Sequence, residues 1–158
     1  MGEPDLAELK DLEIAKRLRR EHALLWQITT DLKAAADEMP ESDRRTWFEN
    51  LKRRYEQFRA HMTKRIALEE VGGFMSAVEE RRPTLAPQIE HLRQQHERIL
   101  SRINGGYTEL EGLDPSNLDA VDDCRLRIEL MLSEVAQHER SENLLVGFVF
   151  TQDVGGED

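Results

Sequence analysis

Near the C-terminal end, Val121, Cys124, Ile128, Met131, Val135, His138, Glu142, Leu145 and Val149 recur at steps of three and four and share one helical stripe. One histidine and one carboxylate, a turn apart, therefore lie inside an otherwise apolar face. Burying either group without a partner is costly, so other helices must bring groups to meet them. A metal ion and an ion pair are the two ordinary ways of doing so. A chain carrying this stripe is constrained to a helical core with several members.

The rest of the sequence supplies those members. From about Leu9 to Glu38, Ile14, Leu18, His22, Leu25, Ile28 and Leu32 trace a first stripe, interrupted by Pro40. Ser42 is placed as the N-cap of a second, which runs Trp47, Leu51, Tyr55, Phe58, Met62, Arg65 and Glu69. Gly72-Gly73 weaken the helix there, and Phe74 to Arg81 carry it on after a kink. After Arg82-Pro83-Thr84, the third stripe is Leu85, Ile89, Leu92, His96, Ile99 and Ile103, with Gly105-Gly106 expected to end or bend it. Asp114-Pro115-Ser116 opens the last helix, with Ser116 and Asp119 spaced as a capping box. That helix should reach about Phe150.

Four long helical patterns with short connections predict an all-α, up-down-up-down antiparallel four-helix bundle. Its 158 residues suit one domain, with a core over about 10–150, a short lead at 1–8 and an irregular acidic tail at 151–158. A short echo also appears, Gln95-His96-Glu97-Arg98 recurring as Gln137-His138-Glu139-Arg140.

Composition narrows the function classes. A formal net charge of −10 argues against a general nucleic-acid binder, and the basic clusters Lys16–Arg20 and Lys52–Arg54 have acidic neighbours typical of solvated helix faces. No apolar run reaches membrane-spanning length, and the N-terminal residues lack a signal peptide's apolar core, so a soluble, cytoplasmic protein is expected. The single cysteine, Cys124, lies on a core stripe and reads as a small core residue. No apolar seam demands a partner protein, so the default is a monomer.

Of the five histidines, His22, His96 and His138 interrupt apolar stripes, whereas His91 shares a polar face with Gln95 and Arg98. His61 falls at the edge of the second stripe. With Glu69 and Glu142, the inward set is His22, Glu69, His96, His138 and Glu142, drawn from all four helices. Imidazole and carboxylate inside a bundle core suit iron, manganese or zinc. Hydrogen-bonded histidine–carboxylate pairs without metal are the plainer reading of any one of these residues, but five converging residues favour a centre.

The segments Glu21-His22-Ala23-Leu24-Leu25, Ala67–Phe74, Gln95–Leu100 and His138–Asn143, taken in order, resemble the hemerythrin-like family of HHE cation-binding domains. Asp153-Val154-Gly155-Gly156 in the tail is similar to one bacterial branch of it. The resemblance covers about residue 10 to the end. It implies a bundle with non-haem iron at its centre, held in the family by five histidines and two bridging carboxylates, with an open position for dioxygen. By motif, His22 matches the first-helix ligand, Glu69 the second-helix bridging carboxylate, His96 the later third-helix histidine, and His138 and Glu142 the fourth-helix pair. Such ligands must be deprotonated, so affinity should weaken in acid.

Two positions depart from that pattern. Arg65 stands where the family has a second-helix histidine, and Leu92 where it has the earlier third-helix one. A guanidinium one turn from Glu69 is placed to ion-pair in the volume a metal would fill. His61 is a candidate substitute. Counting ~1.5 Å per residue from Pro40 puts it level with His22, whereas counting from Pro83 puts Glu69 level with His96. The two counts disagree by about two turns.

Two readings therefore stand. One is a hemerythrin-like protein holding one or two iron ions for oxygen binding, storage or sensing. The other is a metal-free bundle in which Arg65 ion-pairs with Glu69 and Glu142, acting as a structural or interaction module. An enzyme is the weakest reading, because no nucleophile–base arrangement and no glycine-rich phosphate loop after a strand is present.

Overall fold

The computed structural model describes residues 6–71 and 73–151. Gly72 and the tail motif around Asp153–Gly156 lie outside the described residues. The chain forms α1 (Leu6–Asp37), α2 (Arg44–Glu70), a short α3 (Phe74–Arg81), a 3-10 turn (Pro83–Leu85), α4 (Ala86–Glu111) and α5 (Leu118–Val146). A π-helical turn, Gly147–Thr151, extends α5. α1 begins before the expected Leu9, so the predicted lead is already helical from Leu6.

The four long helices close a ring in which α1 touches α2 and α5, and α4 touches α2 and α5. Short connections make consecutive members antiparallel, giving the up-down-up-down four-helix bundle that the stripes predict. No strand occurs among the described residues, and no helix there is long and apolar enough to cross a membrane.

The helix ends are set by local chemistry that differs in detail from the sequence reading. α2 starts at Arg44 after Asp43 in the left-handed conformation (φ 54°), not from Ser42. α5 is capped by Asn117, whose side chain accepts from the Ala120 N–H at 3.2 Å, while Ser116 belongs to the preceding turn and bonds Asp114. Asparagine satisfies one of the orphan donors of a helix's first turn as well as serine does. At the other end of α1, Arg125 from α5 donates to the Ala36 and Asp37 carbonyls at 2.5 and 3.0 Å, closing acceptors that the last turn leaves open.

Gly105-Gly106 do not end the third long helix, which runs unbroken from Ala86 to Glu111. Gly106 is there for a close approach. The Tyr55 hydroxyl crosses over it to donate to the Ile103 carbonyl at 2.6 Å, in the space that a β-carbon would fill. Gly73 does what was expected of its pair: at φ 101° it separates α3 from α2 in a conformation that favours glycine.

Two apolar clusters fill the interior. The larger holds Leu25, Phe58, Met62, Ile66, Ile99, Ile128 and Val135 among others; the smaller holds Met75, Val78, Ile89, Leu92 and Val149, with Leu18 and Leu145 against it. Each long helix passes from one to the other through polar residues. The sequence Leu18–His22–Leu25 does so on α1, Leu92–His96–Ile99 on α4, and Val135–His138–Glu142–Leu145 on α5. On α2, Ile66 is followed by Glu69 and then by the small cluster's α3. A polar layer thus lies between two apolar plugs, built by all four long helices.

A candidate metal centre

Within that layer, Glu69, His96, His138 and Glu142 are buried, with relative exposures of 2, 1, 3 and 1 %. Each offers one ligand atom, and these four atoms lie within 4.8 Å of one another. His96 Nε2 is 3.0 Å from Glu69 Oε2 and 3.8 Å from Glu142 Oε2; His138 Nε2 is 3.0 Å from the same Glu142 oxygen. The two imidazoles meet edge to face, with centroids 4.7 Å apart.

The outward nitrogens are anchored. His96 Nδ1 lies 3.2 Å from Glu70 Oε1, and His138 Nδ1 lies 2.6 Å from Gln95 Oε1. Both partners are acceptors, so in the neutral rings each Nδ1 carries the proton and each Nε2 presents a lone pair inward. The short inward approaches are ion-pair contacts, and His96 Nε2, His138 Nε2 and Glu142 Oε2 make no hydrogen bond. Buried polar atoms normally find one. Four buried donor atoms that converge within 4.8 Å of one another are arranged as ligands are. Two imidazole nitrogens and two carboxylate oxygens fit a first-row divalent cation, so the residues present fit the kind of ion that the resemblance implies.

Arg65 completes the layer from the other side. It is 2 % exposed, with Nε 3.0 Å from Glu69 Oε1 and Nη2 2.5 Å from Glu139 Oε2 and 3.5 Å from Glu142 Oε1. The ion pairs with Glu69 and Glu142 foreseen for Arg65 are therefore both present. Glu139, itself buried, carries the chain of contacts on to His22, whose Nδ1 is 3.0 Å away.

His22 is thus brought to the layer but not to the converging four. Its side chain is 38 % exposed and binds Glu139 instead. His61 is not brought to the group of four either: it faces Glu21, with Nε2 3.7 Å from that carboxylate. The two counts along α2 locate different levels. His61 is level with Glu21, next to His22, and Glu69 is level with His96; the eight helical steps from one to the other span ~12 Å, with Arg65 midway. Leu92 is buried among the apolar residues of the smaller cluster. His91 is exposed and meets Gln95.

Three participants escape the sequence reading: Glu139, Glu70 and Gln95. Glu139 lies one residue beyond His138, off the apolar stripe. The repeated Gln-His-Glu-Arg motif could have drawn attention to Gln95, but its two copies are not equivalent, since Glu139 is buried and Glu97 exposed.

Charge in the layer is strongly coupled. Burial raises the Glu69 carboxyl to about 8, with Glu142 beside it adding to the effect. For His96, burial would lower the imidazole, but Glu142 and Glu69 outweigh it and bring it to about 10. Burial likewise acts to raise Glu142, and the neighbouring Glu69, His138 and His96 reverse this and hold it well below the usual carboxylate range. Glu139 is raised by burial and by Glu142. His61 is lowered, chiefly by burial. At neutral pH Glu69 and His96 therefore both hold protons beside an ionised Glu142.

A cavity of about 50 Å³ between α1 and α2, bordered by Leu18, Glu21, Arg65, Leu68 and Glu69, adjoins the centre. It exceeds the ~10–15 Å³ needed for one water. A wider apolar groove of about 710 Å³, where Leu92, Leu144 and Phe148 meet, holds His91 but no convergent ligand set. Comparison with protein-family models, with curated proteins and with solved structures finds no match to this chain.

Proposed function

We propose that this protein is a hemerythrin-like metal-binding bundle, holding non-haem iron in its polar layer for oxygen binding, storage or sensing. The observation that carries the reading is the set of buried atoms of His96, His138 and Glu142 that make no hydrogen bond and face one point, with both imidazoles locked from behind by Glu70 and Gln95. Groups behind a ligand that fix its tautomer and direction are characteristic of metal centres. Iron bound there would supply redox chemistry and an affinity for dioxygen. The protein's own residues orient the ligands and keep bulk water out through the apolar plugs. They also offer a cavity of about 50 Å³ where a small molecule can approach.

The ion pairs of Arg65 favour a second reading, a metal-free bundle serving as a structural or interaction module. Anaerobic reconstitution with ferrous iron, followed by metal analysis, separates the two. Near-stoichiometric iron, charge-transfer absorption on exposure to air, and loss of binding in His96→Ala and His138→Ala but not in His91→Ala are expected. Iron-free protein after reconstitution would leave the structural module as the reading.

A further inference from the structure

Each of the two central glutamates is divided between two neighbours. Glu69 turns Oε1 to the Arg65 guanidinium at 3.0 Å and Oε2 to His96 at 3.0 Å. Glu142 turns Oε1 to Arg65 at 3.5 Å and Oε2 to His138 at 3.0 Å. Carboxylates used in this way bridge two positive centres. On one side of the bridge stand two imidazoles whose Nε2 atoms make no hydrogen bond; on the other stands a guanidinium, with Glu139 at 2.5 Å beyond it. Building on the metal-binding reading above, we propose that the centre takes a single divalent ion, between Glu69 Oε2, Glu142 Oε2, His96 and His138, and that Arg65 is the permanent occupant of the second position.

Charge and geometry agree. Three buried carboxylates (Glu69, Glu139, Glu142) face one arginine, a deficit of two positive charges that one divalent ion closes and two would overshoot. A guanidinium is permanently charged and planar, and its fork matches carboxylate oxygens. It can therefore hold the outer oxygens of both bridges without competing for the inner ones. A second ion would have to displace a buried cation whose carboxylate partners are already engaged. The same division explains His22: it lies behind Glu139, on the guanidinium's side, so it has no ion to ligate.

The test is metal stoichiometry in the full-length chain, with ferrous iron and zinc titrated anaerobically and counted by elemental analysis, and manganese(II) followed by EPR. One ion per chain and the spectrum of an isolated manganese are expected for the wild type. Arg65→His, which removes the cation and adds an imidazole among Glu69, Glu139 and Glu142, should raise the count to two and give an exchange-coupled pair. Two ions in the wild type would overturn the single-ion assignment, and a folded Arg65→His protein that still takes one would overturn Arg65 as the occupant of a second position; either result leaves metal binding itself intact. No ion in either protein sinks the metal-binding reading and this inference with it. Should Arg65→His misfold, the wild-type count and spectrum still decide. Arg65→Lys, which keeps a charge in the second position, should then hold one ion, and two ions there would refute the assignment.

Discussion

Arg65 is the residue on which the polar layer balances. Its guanidinium is buried against three glutamates, and removing it would leave those carboxylates facing one another without their cation. Removing one partner of a buried ion pair typically costs about 3–5 kcal/mol, because the remaining charge is uncompensated. Arg65→Met should therefore lower the stability of the metal-free protein by about that amount in urea unfolding. A loss below ~1 kcal/mol would show that protons on the carboxylates already do the balancing. The position was legible in the sequence because arginine on an apolar stripe, one turn before Glu69, has few other uses. Glu139 was not, for a reason of the same scale. A stripe marks the face that points to the bundle axis, and Glu139 sits on its flank, buried only because α1 and Arg65 come to cover it.

At the scale of the helix, period and punctuation were not equally readable. The apolar stripes gave the four long helices and their antiparallel order, since three-and-four spacing is a property of the chain alone. Depth along the bundle was harder. His22 shares a stripe with Leu25, yet its ring comes to the edge of the layer, because a stripe fixes direction and not height or reach. Glycines misled for a related reason. Gly105 and Gly106 look alike in sequence, but a β-carbon on Gly105 meets nothing within 4 Å, while on Gly106 it would overlap the Tyr55 hydroxyl. Gly105→Ala should stabilise the protein by about 0.5–1 kcal/mol through helix propensity alone. Gly106→Ala gains the same propensity but forces Tyr55 off the Ile103 carbonyl, and overpacking of this kind costs about 1–3 kcal/mol. Thermal unfolding of the two single mutants should move in opposite directions, and a shift of equal sign would refute the close-approach role of Gly106.

For the molecule as a whole, the buried layer sets the response to pH. His96, raised from the ordinary ~6.5 to about 10, stabilises the fold fully below ~6.5, and that contribution is lost as pH climbs through about 10. Glu69, raised to about 8, holds its proton more tightly in the folded than in the unfolded chain, so it too weakens the fold as pH rises from the usual ~4.3 to about 8. Glu142 has the opposite sign and acts only in acid, because its carboxyl lies well below the usual range. The metal-free protein should therefore melt at progressively lower temperature from mildly acidic to alkaline pH. A divalent ion competes with the same protons, so its stabilising effect should grow over that range. Melting curves with zinc and with chelator, taken across pH, should diverge upward; parallel curves would show that protons and ion occupy different places. This electrostatic behaviour could not be read from sequence, since it depends on distances among helices that are far apart in the chain.

Among the described residues, α1 is the long helix that gives none of the four converging atoms, and its His22 reaches the layer at Glu139 of α5. The helix is also the wall of the small side cavity, while apolar side chains seal the layer above and below. An ion bound in this layer would be approached past α1, along that cavity. Extraction by a chelator should then proceed at the frequency with which α1 swings aside, reaching a ceiling as chelator is added. Loosening the C-terminal end of α1 by Arg125→Ala, which removes the clasp on its last carbonyls, should raise that ceiling without touching a ligand.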